Sequence, residues 1–310
     1  MNKVIVFGSL NMDLSIESDH MPSLGETIMG RCFITNPGGK GANQAVAASR
    51  LGAEVYMLGA VGEDAFGDQM IAALAEQGVH CERIMRTGDL STGVALITRV
   101  QGDNFITIAS GANKAPTIEH VIDTFDDIAE PGDVFLTQLE CNFEATLQAL
   151  KEAHERGMYT VFNPAPARLL PDWVMPHIDL IIMNEGECEL LTGIAPVNEE
   201  SSREAMNKLT SYGVASVAVT LGSRGSLVWH EGEMYSAVPD PVKAVDTTCA
   251  GDTYIGALVA GHARKLEMRR ALAIASKASS LAITKVGAQQ SIPLLADVEA
   301  EIEFSAWGLA

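Results

Sequence analysis

Asp252 closes a run of small residues, Asp246-Thr247-Thr248-Cys249-Ala250-Gly251-Asp252-Thr253, and a helical apolar pattern follows at Ile255, Leu258 and Val259. A small-residue turn that opens a helix leaves backbone N–H groups unpaired and carries about half a positive charge. Such a turn can hold an anion and a base side by side, which suits a phosphate in transfer. The plainer reading of Asp252 is a favourable first-turn acid. A second glycine-rich helix entry, Pro37-Gly38-Gly39-Lys40-Gly41-Ala42-Asn43-Gln44, puts a cation and an amide where backbone can approach a ligand closely. It is not a P-loop, because Gly41 rather than Ser or Thr follows Lys40 and Ile34 stands where the first glycine belongs. Nor is it a dinucleotide fingerprint, since Gln44 occupies the place of the last glycine. Asn11 and Asp13, two apart at the end of the first predicted strand, share a face if that strand continues and could bracket adjacent hydroxyls. The same pair is also common in plain turns.

The elements that must carry these residues alternate. β-Branched runs at 4–10, 54–58, 133–139, 159–162, 180–183 and 216–221 read as strands, and amphipathic stretches at 42–51, 68–77, 144–156 and 202–212 read as helices. This alternation predicts a single α/β domain over 1–310, with a mainly parallel central sheet and helices on both faces. Residues 14–35 and 94–110 break the rhythm. The second of these reads as a hairpin turning at Gln101-Gly102-Asp103, and together the two are expected to form a small β lid. A lid over the strand ends would keep water from a transferable phosphate.

At 310 residues and 47% hydrophobic content, the chain buries an ample core. A net charge of −19 argues against nucleic acid or an anionic membrane as the main partner. Clustered N–H groups and metal ions can still outweigh that field for a phosphate-bearing ligand. The five cysteines show no C-x-x-C spacing, so neither a disulfide framework nor a zinc site is expected, and a reducing cytoplasm fits. No apolar run approaches the length of a membrane span or signal core.

Taken in order, several blocks resemble the ribokinase group of carbohydrate kinases, which includes fructokinases and adenosine kinase. They are Gly8-Ser9-Leu10-Asn11-Met12-Asp13, Gly25-Glu26-Thr27, the Gly38 to Gln44 entry, Gly111-Ala112-Asn113, Gln138-Leu139-Glu140, Asn163-Pro164-Ala165-Pro166-Ala167, Asn184-Glu185-Gly186-Glu187, Thr220-Leu221-Gly222-Ser223-Arg224-Gly225 and the turn ending at Asp252. The resemblance implies the three-layer fold of that group and transfer of the γ-phosphate of ATP to the primary hydroxyl of a neutral pentose, D-ribose above others. Asp252 would be the base, and the N–H groups of Cys249, Ala250 and Gly251 the anion hole. Asn11, Asp13, Gly39, Lys40, Asn43 and Glu140 would hold the sugar beside Asp252. ATP would lie along Asn184, Glu187, Thr220, Gly222, Ser223 and Gly225, with Glu187 acting on Mg2+ through water. Oxygens of Asp246, Thr248, Ile283, Lys285, Gly287 and Ser291 would hold an activating K+, and a homodimer would form through the lid. Cys249 departs from the group, which usually has Gly or Ala there. A helix N-terminus lowers a thiol's pKa, so Cys249 is expected either to be reactive and shielded by ATP or to be a simple small-residue replacement.

Other readings compete with this one. A kinase for deoxyribose, fructose or adenosine would use the same machinery, although a nucleoside wants stacking aromatics and the lid segments offer chiefly Phe33 and Phe105. A sugar phosphate would want more cations than Lys40, with Arg31 and Arg99 the nearest in reserve. A catalytically silent sugar sensor would keep the fold but have no use for a base.

Overall fold

The computed structural model describes residues 1–101 and 103–302. The chain opens with β1 (Lys3–Phe7), then β2 (Asn11–Ser18), β3 (Arg31–Gly38), α1 (Lys40–Arg50), β4 (Glu54–Gly62), α2 (Ala65–Glu76), β5 (His80–Thr87), β6 (Gly93–Val100) and β7 (Asp103–Ala109). It continues through α3 (Ile118–Ile128), β8 (Val134–Thr137), α4 (Phe143–Glu155), β9 (Tyr159–Phe162), β10 (Leu180–Asn184), α5 (Glu185–Thr192), α6 (Glu199–Ser211) and β11 (Ser216–Thr220). The last elements are β12 (Ser226–His230), β13 (Glu233–Ala237), α7 (Ala250–Ala263), α8 (Met268–Ala282) and α9 (Leu295–Ala300).

A nine-stranded sheet runs β13-β12-β11-β10-β9-β8-β1-β4-β5, parallel except where β12 and β13 turn antiparallel at one edge. Strand side chains alternate between faces, so Val4 and Val6 join one core while Ile5 and Phe7 join the other. The first core takes apolar residues of α1, α2, α7, α8 and α9, and the second takes those of α3 to α6. Helices therefore cover both faces, as the alternating pattern implies. Strand order reverses between β1 and β8, which are hydrogen-bonded neighbours. The crevice beyond the C-terminal ends of strands at such a switch point is the usual ligand site of this architecture.

A separate four-stranded sheet, β3-β2-β6-β7, forms from the two segments that break the rhythm. Its β2 pairs parallel with β6, and β6 pairs antiparallel with β7. Gly102, in the expected hairpin turn, lies outside the described residues. Asn11 and Asp13 do not end the first strand, which stops at Phe7, but open β2 in the small sheet. They still share a face, because they are two apart on one strand. Strand β5 was not legible as a strand: it is an edge, and only Ile84 of its residues is buried.

α7 is apolar nearly all round because it is a covered helix, packed on α1 and α8. Gly256 makes the α1 contact that close. A Cβ there would lie 2.4 Å from the Ala47 Cβ and 2.8 Å from the Gln44 carbonyl oxygen and the Ala48 nitrogen. Gly256→Ala is expected to cost about 1–3 kcal/mol in a urea unfolding series, and Gly256→Val more. An unchanged midpoint for both would mean that the helices separate without penalty.

Candidate active site

A cavity of about 180 Å³ opens beyond the ends of β9, β10 and β11 and is lined by Lys40, Asn163, Asn184, Glu187, Thr220, Cys249, Ala250, Gly251 and Asp252 among others. A larger cavity of about 900 Å³ lies at the opposite, N-terminal ends of the strands, around Asn2, Tyr159 and His262. None of the residues expected to act lines it.

α1 starts at Lys40 behind Gly39, which has φ 90°. A Cβ on Gly39 would stand 2.8 Å from the Asn11 nitrogen, so the backbone passes where no side chain fits. This crossing brings β2 and α1 together. The Glu140 carboxylate accepts the Ser9 hydroxyl at 2.5 Å and the Lys40 backbone N–H at 3.2 Å. Asn113 donates to the Asn11 side-chain oxygen at 2.8 Å and fixes that amide. Asn11, Asp13, Gly39, Lys40, Asn43 and Glu140 thus collect on one side.

Asp252 sits in the first turn of α7, and both of its oxygens are held from α1. Asn43 Nδ2 donates to one at 3.0 Å and Gln44 Nε2 to the other at 2.9 Å, across 208 positions of sequence in the second case. Gln44, Asn163, Gln138 and Gln289 carry no role in the sequence reading, yet all four lock these amides. Gln44, Gln138 and Asn163 stand inside blocks that the sequence singles out, which is the available signal.

Cys249 caps α7 in the left-handed region, φ 65°, a conformation that favours glycine. The expectation of a reactive thiol is not met. Cys249 is only 8% exposed, and burial together with the Asp252 charge pushes its thiol well above the ordinary range. Desolvation outweighs the helix terminus. Of the expected anion-hole amides, Ala250 N–H donates to the Thr247 carbonyl at 3.3 Å, and Gly251 lies in the first helical turn, where no intrahelical acceptor exists.

On the far side, Asn184 and Glu187 form a reciprocal capping box at the start of α5, with both hydrogen bonds at 2.9 Å. Burial raises the Glu187 pKa against the opposing pull of the Asn184 N–H and Lys40. Thr220 lines the cavity at the end of β11. Gly222, Ser223 and Gly225 follow in a tight turn closed by Leu221 N–H on the Gly225 carbonyl at 2.7 Å, beside the cavity but not lining it.

Asp246 accepts the N–H groups of Thr248 at 2.9 Å and Gly287 at 3.0 Å, while the Ile283 carbonyl takes those of Val245 at 2.8 Å and Asp246 at 3.2 Å. Four of the six residues expected at a monovalent cation are thereby joined. Ser291 donates its hydroxyl to the Ala288 carbonyl at 2.8 Å, and Lys285 N–H bonds the Ala282 carbonyl at 3.2 Å in the same connection. The donors are all hard oxygens, which suits such an ion, although the Ile283 carbonyl already serves two N–H groups.

Charge in the crevice is unbalanced. Burial lowers the Lys40 pKa, but Asp252, Glu140 and Glu187 more than offset this and hold the ammonium charged. Asp13 is pushed up to about 7 by burial first, then by Glu140 and Asp252. A carboxyl raised in the folded state binds its proton there when the unfolded chain has lost it. Its contribution to stability therefore falls as pH rises from about 4 to 7 and stays low above that. Asp13→Asn is accordingly expected to gain on the order of 3 kcal/mol over the parent at pH 8 and nothing at pH 3, in paired denaturation curves. A constant difference across pH would contradict this.

The model of the pfkB family carbohydrate kinases matches residues 1–295. A ribokinase of Lactococcus lactis is 40% identical over 98% of this chain and 98% of its own length. A ribokinase of Staphylococcus aureus is 37% identical over 96% and 98%. The structure of Arabidopsis thaliana ribokinase complexed with ribose and ATP superposes with a TM-score of 0.88 at 30% identity, covering 96% of this chain and 98% of the other. Similarity sustained from end to end, in sequence and in backbone, makes this chain a member of the pfkB family of carbohydrate kinases.

Proposed function

We propose that the protein transfers the γ-phosphate of ATP to the primary hydroxyl of D-ribose, giving ribose 5-phosphate. The observation that carries this reading is that Lys40 and Asp252, remote in sequence, line one cavity with the first turn of α7 between them. The similarity to a kinase solved with ribose and ATP supports both substrates.

Asp252 is the base. An ordinary Asp, pKa near 3.9, cannot ionise an alcohol beforehand, so it accepts the proton as the new P–O bond forms. Asn43 and Gln44 fix its oxygens in advance, which turns catalysis into aim. Charge growing on the phosphoryl oxygens meets the Cys249, Ala250 and Gly251 N–H groups and the Lys40 ammonium. For Ala250 this means leaving the Thr247 carbonyl.

Asn11, Asp13, Gly39, Lys40, Asn43 and Glu140 hold the sugar hydroxyls. A sugar lacking one of them leaves a desolvated polar group unpaired, which is the basis of choice. Asn184, Glu187, Thr220, Gly222, Ser223 and Gly225 hold the nucleotide. Mg2+, reached from Glu187 through water, would supply charge neutralisation at the phosphates. K+, on oxygens of Asp246, Thr248, Ile283, Lys285, Gly287 and Ser291, would supply a fixed positive charge behind the anion hole.

The small sheet covers the sugar side as a lid. Its strand register puts Leu14, Leu96, Ile16 and Phe105 on one face, with Leu96 54% and Phe105 50% exposed, and this apolar patch supports a homodimer. Five free cysteines, and no helix among the described residues long and apolar enough to cross a membrane, support a cytoplasmic enzyme.

A coupled ADP-release assay with Mg2+ and ATP over ribose, deoxyribose, fructose and adenosine tests the reading. Ribose is expected to give the highest kcat/KM, and Asp252→Asn to lower kcat by about a thousandfold. A different leading acceptor would reassign the substrate, and no ADP with any of them would make the protein a silent binder. Replacing K+ by Na+ is expected to depress the rate, and indifference would remove the cation from the scheme. Sedimentation should give a dimer that Leu96→Lys dissociates, whereas a parent monomer would end that part of the proposal.

A further inference from the structure

Asp252 is gripped by amides whose own orientations are set elsewhere. An amide side chain can present either its oxygen or its NH2 to a neighbour, and only the second is of use to a carboxylate. Gln44 is fully buried, and its oxygen accepts Gln138 Nε2 at 2.7 Å, so its NH2 must face the other way. There it serves Asp252 at 2.9 Å and the Asn163 side-chain oxygen at 3.2 Å. Asn163 is oriented in turn, because its NH2 donates to the Ile182 carbonyl at 3.0 Å. Asn163 follows β9 and so roots the chain of amides in the central sheet, whereas Gln138 follows β8 and keeps its own buried oxygen without a partner. The other oxygen of Asp252 is treated alike. Asn43 gives it an NH2 at 3.0 Å while its own oxygen is occupied by Gln289 at 3.2 Å.

We infer that Gln44 is a positioning residue for phosphoryl transfer: polarised from behind by Gln138, it fixes the rotamer of the Asp252 carboxylate without touching either substrate. The inference rests on the reading of Asp252 as the base. The two amides differ in kind. Neither lines the cavity, but Asn43 keeps a small exposed area and is expected at the sugar, whereas Gln44 is fully buried. Losing Gln44 should therefore act on kcat, and losing Asn43 on sugar KM as well.

Steady-state kinetics on the intact enzyme test this, with the best acceptor from the sugar panel. In Gln44→Met, which keeps the length and loses the amide, kcat is expected to fall about 30-fold with sugar KM within about threefold. Gln44→Glu should be worse, because it sets an acceptor against Asp252. Gln138→Leu, a second variant that leaves Asp252 untouched, should show the same split, with kcat down by about threefold to tenfold and sugar KM held, and it keeps the test decisive if Gln44→Met does not fold. Variants with parental kcat, or with the loss confined to sugar KM, would overturn the assignment. A parent that phosphorylates no sugar would instead overturn the reading of Asp252, and this inference with it.

Discussion

Everything at the crevice depends on how closely α7 lies against α1. With a glycine at 256, the backbones approach until the Gln44 carbonyl and the Ala48 nitrogen occupy the space a side chain would take. One turn earlier on α7 stands Asp252, and at the start of α1 stand Asn43 and Gln44. The helix contact is thus a ruler that sets the carboxylate within hydrogen-bonding distance of its amides. Interiors are packed densely enough that a shift of one methyl group is felt at such a distance.

The electrostatics follow from that closeness. Glu140, Asp252 and Glu187 gather near one ammonium group with Asp13 beside the first two, and the surplus negative charge is relieved by lifting the Asp13 pKa and by hydrogen bonds to Glu140. A carboxyl kept at that expense is a stability cost held in a binding site. Cys249 answers to the same field, since the burial that closes the site and the neighbouring carboxylate keep its thiol protonated.

Much of this architecture was legible in the chain. Strands buried on both faces read as β-branched runs, and the helix entries announce themselves through glycine. The small sheet was expected from broken periodicity, though its start at Asn11 was hidden because a run from 4 to 10 looks continuous until Phe7 is seen to end it. Edge strand β5 escaped because a strand with one buried residue has no apolar rhythm. The main residues of the crevice could be picked out by resemblance, but not the amides behind them. Gln44 and Gln138 act through orientation, and orientation arises only when distant segments meet. The Cys249 thiol went the other way, because sequence reveals a helix terminus but not the depth at which it lies.

The crossing at Gly39 has an evolutionary corollary. Asn11, Asp13, Lys40 and Asn43 come from one unbroken stretch of chain, while the turn proposed to face the phosphate comes from the last quarter. On that reading, most of acceptor recognition and the anion hole are encoded far apart and meet at the seam between α1 and α7. Each can drift under its own selection as long as that seam keeps its thickness, and a new acceptor preference could arise without rebuilding the turn at Asp252.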